Sequence, residues 1–298
     1  MDLTLLGTGC PQVDPHRHGP ASLVRVGGYQ LLFDCGSGVT QRLVAAGTSG
    51  AQIDAVFLTH LHSDHIVDLF QLILSSWHQG RQRPQRIIGP PGTKAHIDGL
   101  LRLWQPELAQ RIAHEQRPST AALSVTVEEI GPGTAWAEGT VSVTAVAVAH
   151  QPIEHAYGFV VADGRYRMVL SGDTAWCDRL IAAAAGADLL LHECFIHREM
   201  PIVPGVRTAE GLAAVAGYHT LSAEVGKIAT AAKVRCLVLN HFVPTRFDRA
   251  VLLAEVRQDY TGPILIGEDL MRIDLAADSV RHGDMVVGLG LGTQPSPA

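Results

Sequence analysis

The chain has 298 residues, 47% of them hydrophobic, and a formal net charge of −6 with its histidines neutral. A chain of this length buries roughly three quarters of its unfolded surface, no run reaches the length of a membrane-spanning helix, and the absence of any Lys/Arg run argues against a surface that grips nucleic acid through its phosphates. The amino terminus MDLTLLGTGCP lacks a basic region and a long apolar stretch, and the five cysteines Cys10, Cys35, Cys177, Cys194 and Cys236 are odd in number and scattered. Neither a secretion signal nor a disulfide framework is indicated, so a reducing cytoplasm is the expected setting and no membrane partner is expected.

In chain order, LTLLG and SLVRVGGYQLLFD read as opening strands with Gly27-Gly28 as a hairpin turn. The polar, Gly/Pro-rich loop between them carries His16 and His18, read as surface residues. Asp34 ends an apolar strand ahead of CGSG, where it either caps a helix starting near Val39 or serves a site. Residues 56–65, VFLTHLHSDH, run from strand-forming residues straight into His60, His62, Asp64 and His65. A short loop leaving a buried strand can turn several imidazoles and a carboxylate toward one point, and that donor set suits a metal: zinc first, with iron or manganese tolerated.

IVDLFQLILSSWHQG has helical periodicity, and RIIGPPGTKAHIDGLLRLW reads as a strand, a turn and a helix begun by Thr93. His78, His96 and His114 lie in these stretches and are not taken as ligands. The charged segment PELAQRIAHEQRP then separates this part from SVTVEEI, so one domain of two similar halves is expected, about 1–125 and 126–292, with 293–298 as a frayed end. In the second half SVTAVAVAH delivers His150, a hairpin about Asp163-Gly164 ends at Asp173, LLLHE brings His192 and Glu193, and CLVLNH brings His241. Six strand-like runs, counting those of Asp34 and His60, thus end in a ligand or acid-base side chain, which is how layered α/β folds assemble sites.

HLHSDH, with LGTG at 6–9, GPPG at 89–92, HECF at 192–195, GYHTLSAE at 217–224 and LNHF at 239–242, resembles the metallo-β-lactamase-fold hydrolases, and in particular their ribonuclease Z and arylsulfatase branch. The resemblance implies an α/β fold, an αββα sandwich. Carried over by motif, it assigns His60, His62 and His150 to one metal and Asp64, His65 and His241 to a second, with Asp173 bridging two Zn²⁺ ions and Asp34 orienting a ligating histidine. Such a pair, with its two carboxylates and a bridging hydroxide, carries a net charge of about +1 and favours an anionic ester. The resemblance also implies that Glu193 supports His219 as general acid; the alternatives are a buried hydrogen-bonded carboxylate and a helix-entry histidine.

Ribonucleases Z carry a long basic arm after the third metal motif, whereas only 22 residues separate His150 from Asp173 here. Leu221 also stands where the branch often has a small hydroxyl residue. The segment IHREMPIVPGVRTAEGLAAVAG at 196–217 is longer than the branch needs and has the apolar content of a lid or pocket wall. The expected function is therefore dinuclear zinc hydrolysis of a small anionic ester, a phosphodiester first and an aryl sulfate second. Hydrolysis of a β-lactam or lactone, armless tRNA 3′ processing, an iron-dependent oxidoreductase and a non-catalytic binding role are the competing readings. Homodimers are common in the branch, although no residue demonstrates one.

Overall fold

The computed structural model describes residues 1–292; the frayed end expected at 293–298 lies outside the described residues. Six strands open the chain: β1 (Asp2–Gly7), β2 (Ala21–Val26), β3 (Tyr29–Phe33), β4 (Ala55–Phe57), β5 (Gln85–Gly89) and β6 (Val125–Glu129). Seven follow: β7 (Gly133–Glu138), β8 (Val141–Ala147), β9 (Tyr157–Ala162), β10 (Arg167–Leu170), β11 (Leu189–Phe195), β12 (Leu237–Val243) and β13 (Ile264–Ile266). Three short strands close it, β14 (Arg272–Asp274), β15 (Ser279–His282) and β16 (Met285–Gly288).

Two sheets result. One has the order β16-β15-β14-β1-β2-β3-β4-β5-β6 and the other β13-β12-β11-β10-β9-β8-β7. The sheets do not divide the chain at residue 125: β6 completes the first sheet, and β14 returns to it by pairing antiparallel with β1.

Strand alternation builds the layers. Inward side chains such as Val24, Phe33, Phe57, Phe159, Leu170, Leu191 and Val238 form the core between the sheets, with the rings of Phe33 and Phe57 stacked at 5.0 Å and that of Phe159 against both. Outward residues of the first sheet meet α1 (Val39–Ala45), the single turn α2 (Ser63–Ile66), α3 (Leu69–His78) and α4 (Thr93–Glu115). Those of the second meet α5 (Asp178–Ala183), α7 (Ser222–Ala231) and α8 (Arg249–Val256), while α6 (Ala209–Ala216) lies outside this cluster. The architecture is the expected αββα sandwich.

Helix α4 takes in the charged segment: PELAQRIAHE continues the helix through Pro106 to Glu115. A proline keeps a helical φ and forfeits one backbone hydrogen bond, and the good helix formers after it gain support from Arg111, which pairs with both Glu107 and Glu115 one turn away on either side. Among the described residues no helix is long and apolar enough to cross a membrane.

Candidate metal centre

The polar side chains that end these strands converge at one rim of the sandwich. Strands β3 and β4 run parallel, as do β10, β11 and β12, so their carboxyl ends lie together. Two donor sets form there, His60, His62, His150 with Asp173, and Asp64, His65, His241, and a third grouping, Asp173, His219 and His241, overlaps both; within each the donor atoms lie within 4.8 Å of one another. In the first, His62 Nδ1 lies 2.9 Å from His60 Nε2 and 3.1 Å from His150 Nε2. In the second, Asp64 Oδ2 is 3.5 Å from His65 Nε2 and 3.3 Å from His241 Nε2, and those two nitrogens are 3.3 Å apart. Asp173 Oδ2 faces both sets, at 3.3 Å from His65 and His241 and 3.8 Å from His60.

Donor atoms around a tetrahedral ion with bonds of 2.0–2.1 Å stand about 3.3 Å apart. The observed spacing therefore fits a metal, and every donor is an imidazole nitrogen or a carboxylate oxygen.

What orients the imidazoles is equally specific. His65 Nδ1 donates to Asp34 Oδ2 at 2.8 Å and His150 Nδ1 to the Tyr218 carbonyl at 2.8 Å. The Thr59 hydroxyl donates to the Asp34 carboxylate and so accepts from His60 Nδ1 at 3.0 Å. Each bond holds a proton on the outer nitrogen and turns Nε2 into the site, where a neutral ring offers its lone pair to a metal. Asp34 thus serves His65 directly and His60 through Thr59, and it also accepts from the Thr59 backbone N–H at 2.8 Å. Asp34 does not cap α1, whose N-cap is Gly38. Both Asp34 (φ 60°) and His241 (φ 44°) sit in the left-handed region, a strain of about 1–3 kcal/mol each that the surrounding contacts hold.

Burial and charge divide the titrating groups. Burial, with the neighbouring His65 cation, holds His60 well below the ordinary histidine range, and burial lowers His62 and His150 too. Burial also opposes charge on His65, yet the Asp173 and Asp34 carboxylates beside it win and raise it well above that range. Asp173, fully enclosed, is nevertheless driven well below the carboxylate range by His241 and His65.

Beside the donor sets stands the pair read from HECF and GYHT. His219 Nδ1 lies 2.9 Å from both oxygens of Glu193, which also accepts from the Thr174 N–H at 2.7 Å. The His219 ring is 5.3 Å from that of His150 and 5.7 Å from that of His241. Burial works against charge on His219, but Glu193 lifts it to about 9.

The chain matches the family model described as "Anti-Pycsar protein Apyc1" over residues 1–203. It is 36% identical over 280 residues to "Ribonuclease Z" of Mycobacterium bovis (strain BCG / Pasteur 1173P2), covering 92% of this chain and 98% of that relative. The chain belongs to the ribonuclease Z family of metallo-β-lactamase-fold hydrolases. Among solved structures, this ribonuclease Z-family chain is similar to the metallo-β-lactamase fold protein YhfI from Bacillus subtilis (TM-score 0.70, 21% identity, 91% of this chain and 98% of that one). It is also similar to the short form of human tRNase Z (TM-score 0.68, 24% identity, 92% and 99%).

All ten site residues singled out in the sequence meet at this rim: Asp34, His60, His62, Asp64, His65, His150, Asp173, Glu193, His219 and His241. His192 does not, because alternation along β11 turns it to the helix side, where it is buried and neutral. His16, His78, His96 and His114 lie in none of the donor clusters among the described residues. His18 bonds to Asp269 at 2.9 Å. The segment 196–217 forms a side wall: Met200, Leu212, Val215 and Ala216 pack on Cys10, Phe195 and Val243, and Phe195 stacks on the His219 ring. Sequence reasoning missed Thr59, although it stands inside the VFLTHLHSDH run, and the Tyr218 carbonyl, which carries no side-chain signal at all.

Proposed function

We propose that this protein is a dinuclear zinc phosphodiesterase of small anionic esters, with His60, His62 and His150 holding one ion, Asp64, His65 and His241 the other, and Asp173 shared. When bound, such ions lower the pKa of water to about 7 and stabilise charge on the scissile group. The observation that carries the reading is the Glu193–His219 pair set against the two donor sets. Glu193 accepts the Nδ1 proton of His219 and favours the cationic ring, so that a second proton on Nε2 can pass to the leaving oxygen. Esters with poor leaving groups need that proton; strained lactams and lactones do not.

A tRNA 3′-processing role is the second reading. The relatives named ribonuclease Z favour it, since this chain spans nearly their whole length. Against it stand the net charge of −6 and the stretch between His150 and Asp173, which is taken up by the β9–β10 hairpin and holds no arm.

The test is a parallel assay of zinc-loaded protein on bis(p-nitrophenyl) phosphate, p-nitrophenyl sulfate, a lactone, a β-lactam and an unprocessed tRNA. Phosphodiester turnover without tRNA cleavage supports the proposal. Clean tRNA cleavage with slow turnover of the small esters replaces it with the second reading.

A further inference from the structure

Behind the donor sets, where the two sheets part, the inward-facing positions change character. Val24 on β2, Leu191 on β11 and Val238 on β12 belong to the apolar core, yet the next inward residue toward the rim is Ser22, Glu193 and Asn240 in turn. With Phe33, Leu170, Asp173 and His241 these residues line a chamber with about 40 Å³ available to water centres, space for about three waters.

Among the described residues, three buried polar atoms on residues lining this chamber meet no protein partner: Asp173 Oδ1, Asn240 Oδ1 and His241 Nδ1. Their chemistry is complementary. His60, His65 and His150 each give the outer ring proton to a protein oxygen, whereas His241, whose Nε2 faces Asp64 and Asp173, has no such oxygen. With Nε2 as a ligand atom, the proton sits on Nδ1 and requires an acceptor. Asp173 Oδ1 and Asn240 Oδ1 require donors. A water can accept from one group and donate its two protons to two others.

We infer that the chamber is a built water site, in which ordered water accepts from His241 Nδ1, donates to Asp173 Oδ1 and Asn240 Oδ1, and so positions both His241 and Asp173 from behind. Asn240 acts on the donor sets through this water and is a positioning residue.

A crystal structure of the wild-type protein, with and without zinc, is expected to show water within about 3.2 Å of His241 Nδ1 and of Asp173 Oδ1. A dry chamber, or an Asn240 amide bonded directly to Asp173, overturns the inference. Zinc affinity by chelator competition supplies the second readout. Asn240→Leu keeps the bulk but removes the polar partner, and is expected to weaken zinc binding by about tenfold or more. Asn240→Ala leaves room for another water and is expected to stay within about threefold. A packing role predicts the reverse order, and that order overturns the inference. Should Asn240→Leu fail to fold, Ser22→Val, which narrows the chamber, against Ser22→Ala, which widens it, asks the same question. The zinc readout and the placing of the His241 proton on Nδ1 rest on the proposed function, whereas the unpaired Asp173 Oδ1 and Asn240 Oδ1 do not: a protein that holds the water but binds no zinc refutes the metal reading and leaves the water site standing.

Discussion

Asp34 offers a sharp test of how the site is held. Its carboxylate accepts from the Thr59 N–H, the Thr59 hydroxyl and His65 Nδ1, and the residue is 6% exposed. In Asp34→Ala the hydroxyl can turn elsewhere, but the Thr59 N–H and the His65 ring N–H are left buried and unpaired. At about 1–3 kcal/mol each, the loss is about 2–6 kcal/mol, a large share of the 5–15 kcal/mol that typically holds a domain together. Calorimetry of metal-free protein should therefore show the unfolding midpoint falling by roughly 3–10 °C. Both donor sets lose an orienting bond, His65 directly and His60 through Thr59, so zinc affinity is expected to drop about 10–100-fold. Asp34→Asn separates the two effects. Its amide keeps an acceptor for Thr59 but aims an N–H at His65 Nδ1, which drives the ring proton onto Nε2, where a metal would sit; zinc binding should fall while stability is largely retained. If both variants bind zinc within threefold of wild type and Asp34→Ala unfolds within 1 kcal/mol of it, the orienting role assigned to Asp34 is wrong.

Three further outcomes are expected. Glu193 raises the His219 pKa, to about 9 in the metal-free protein, and bound cations lower it from there; turnover of alkyl phosphodiesters should fall as pH rises through that limb, and Glu193→Gln should move the limb to lower pH, while an unmoved limb assigns it to another group. His219→Ala should cost about 10²–10⁴-fold on poor leaving groups and little on p-nitrophenolate, and an equal loss on every ester would count against the acid role. Asp64→Ala should hold about one zinc per chain by elemental analysis and lose phosphodiester turnover; full activity with one ion would show that the second set is dispensable.

The convergence of these side chains was legible because its strongest part is local: four donor residues within six positions, at the end of a strand that could hardly be anything else. Its long-range members were legible for a related reason, since His150, Asp173, Glu193 and His241 each close an apolar run. Alternation decided the case of His192, which closes the same run as Glu193 but points to the opposite face, a difference of parity that a sequence alone does not register until the inward face is known. Thr59 escaped notice because a hydroxyl beside a histidine has no distinguishing spacing. The water chamber escaped because it depends on three strands from two sheets losing their apolar character at one level. The return of β14 to β1 was not legible either: nothing in RID or DLTLLG names its partner, and the pairing is decided by which sheet edge remains open.

That last pairing sets the order in which the molecule can be finished. Asp2 lies opposite Asp274, and the loop that follows β1 is tied to the turn before β14, where Thr8 and His18 bond to Asp269 and Arg17 to Glu268. On a ribosome adding about 5–20 residues per second, the first strand to emerge waits many seconds for its outer neighbour. Every metal-donor residue, up to His241, has been synthesised by then, yet the edge of β1 is open and the loop beside Asp64 lacks its anchors. Contacts this distant in sequence are slow to close, so the maturing protein passes through an interval in which the donor residues exist before the walls that hold them.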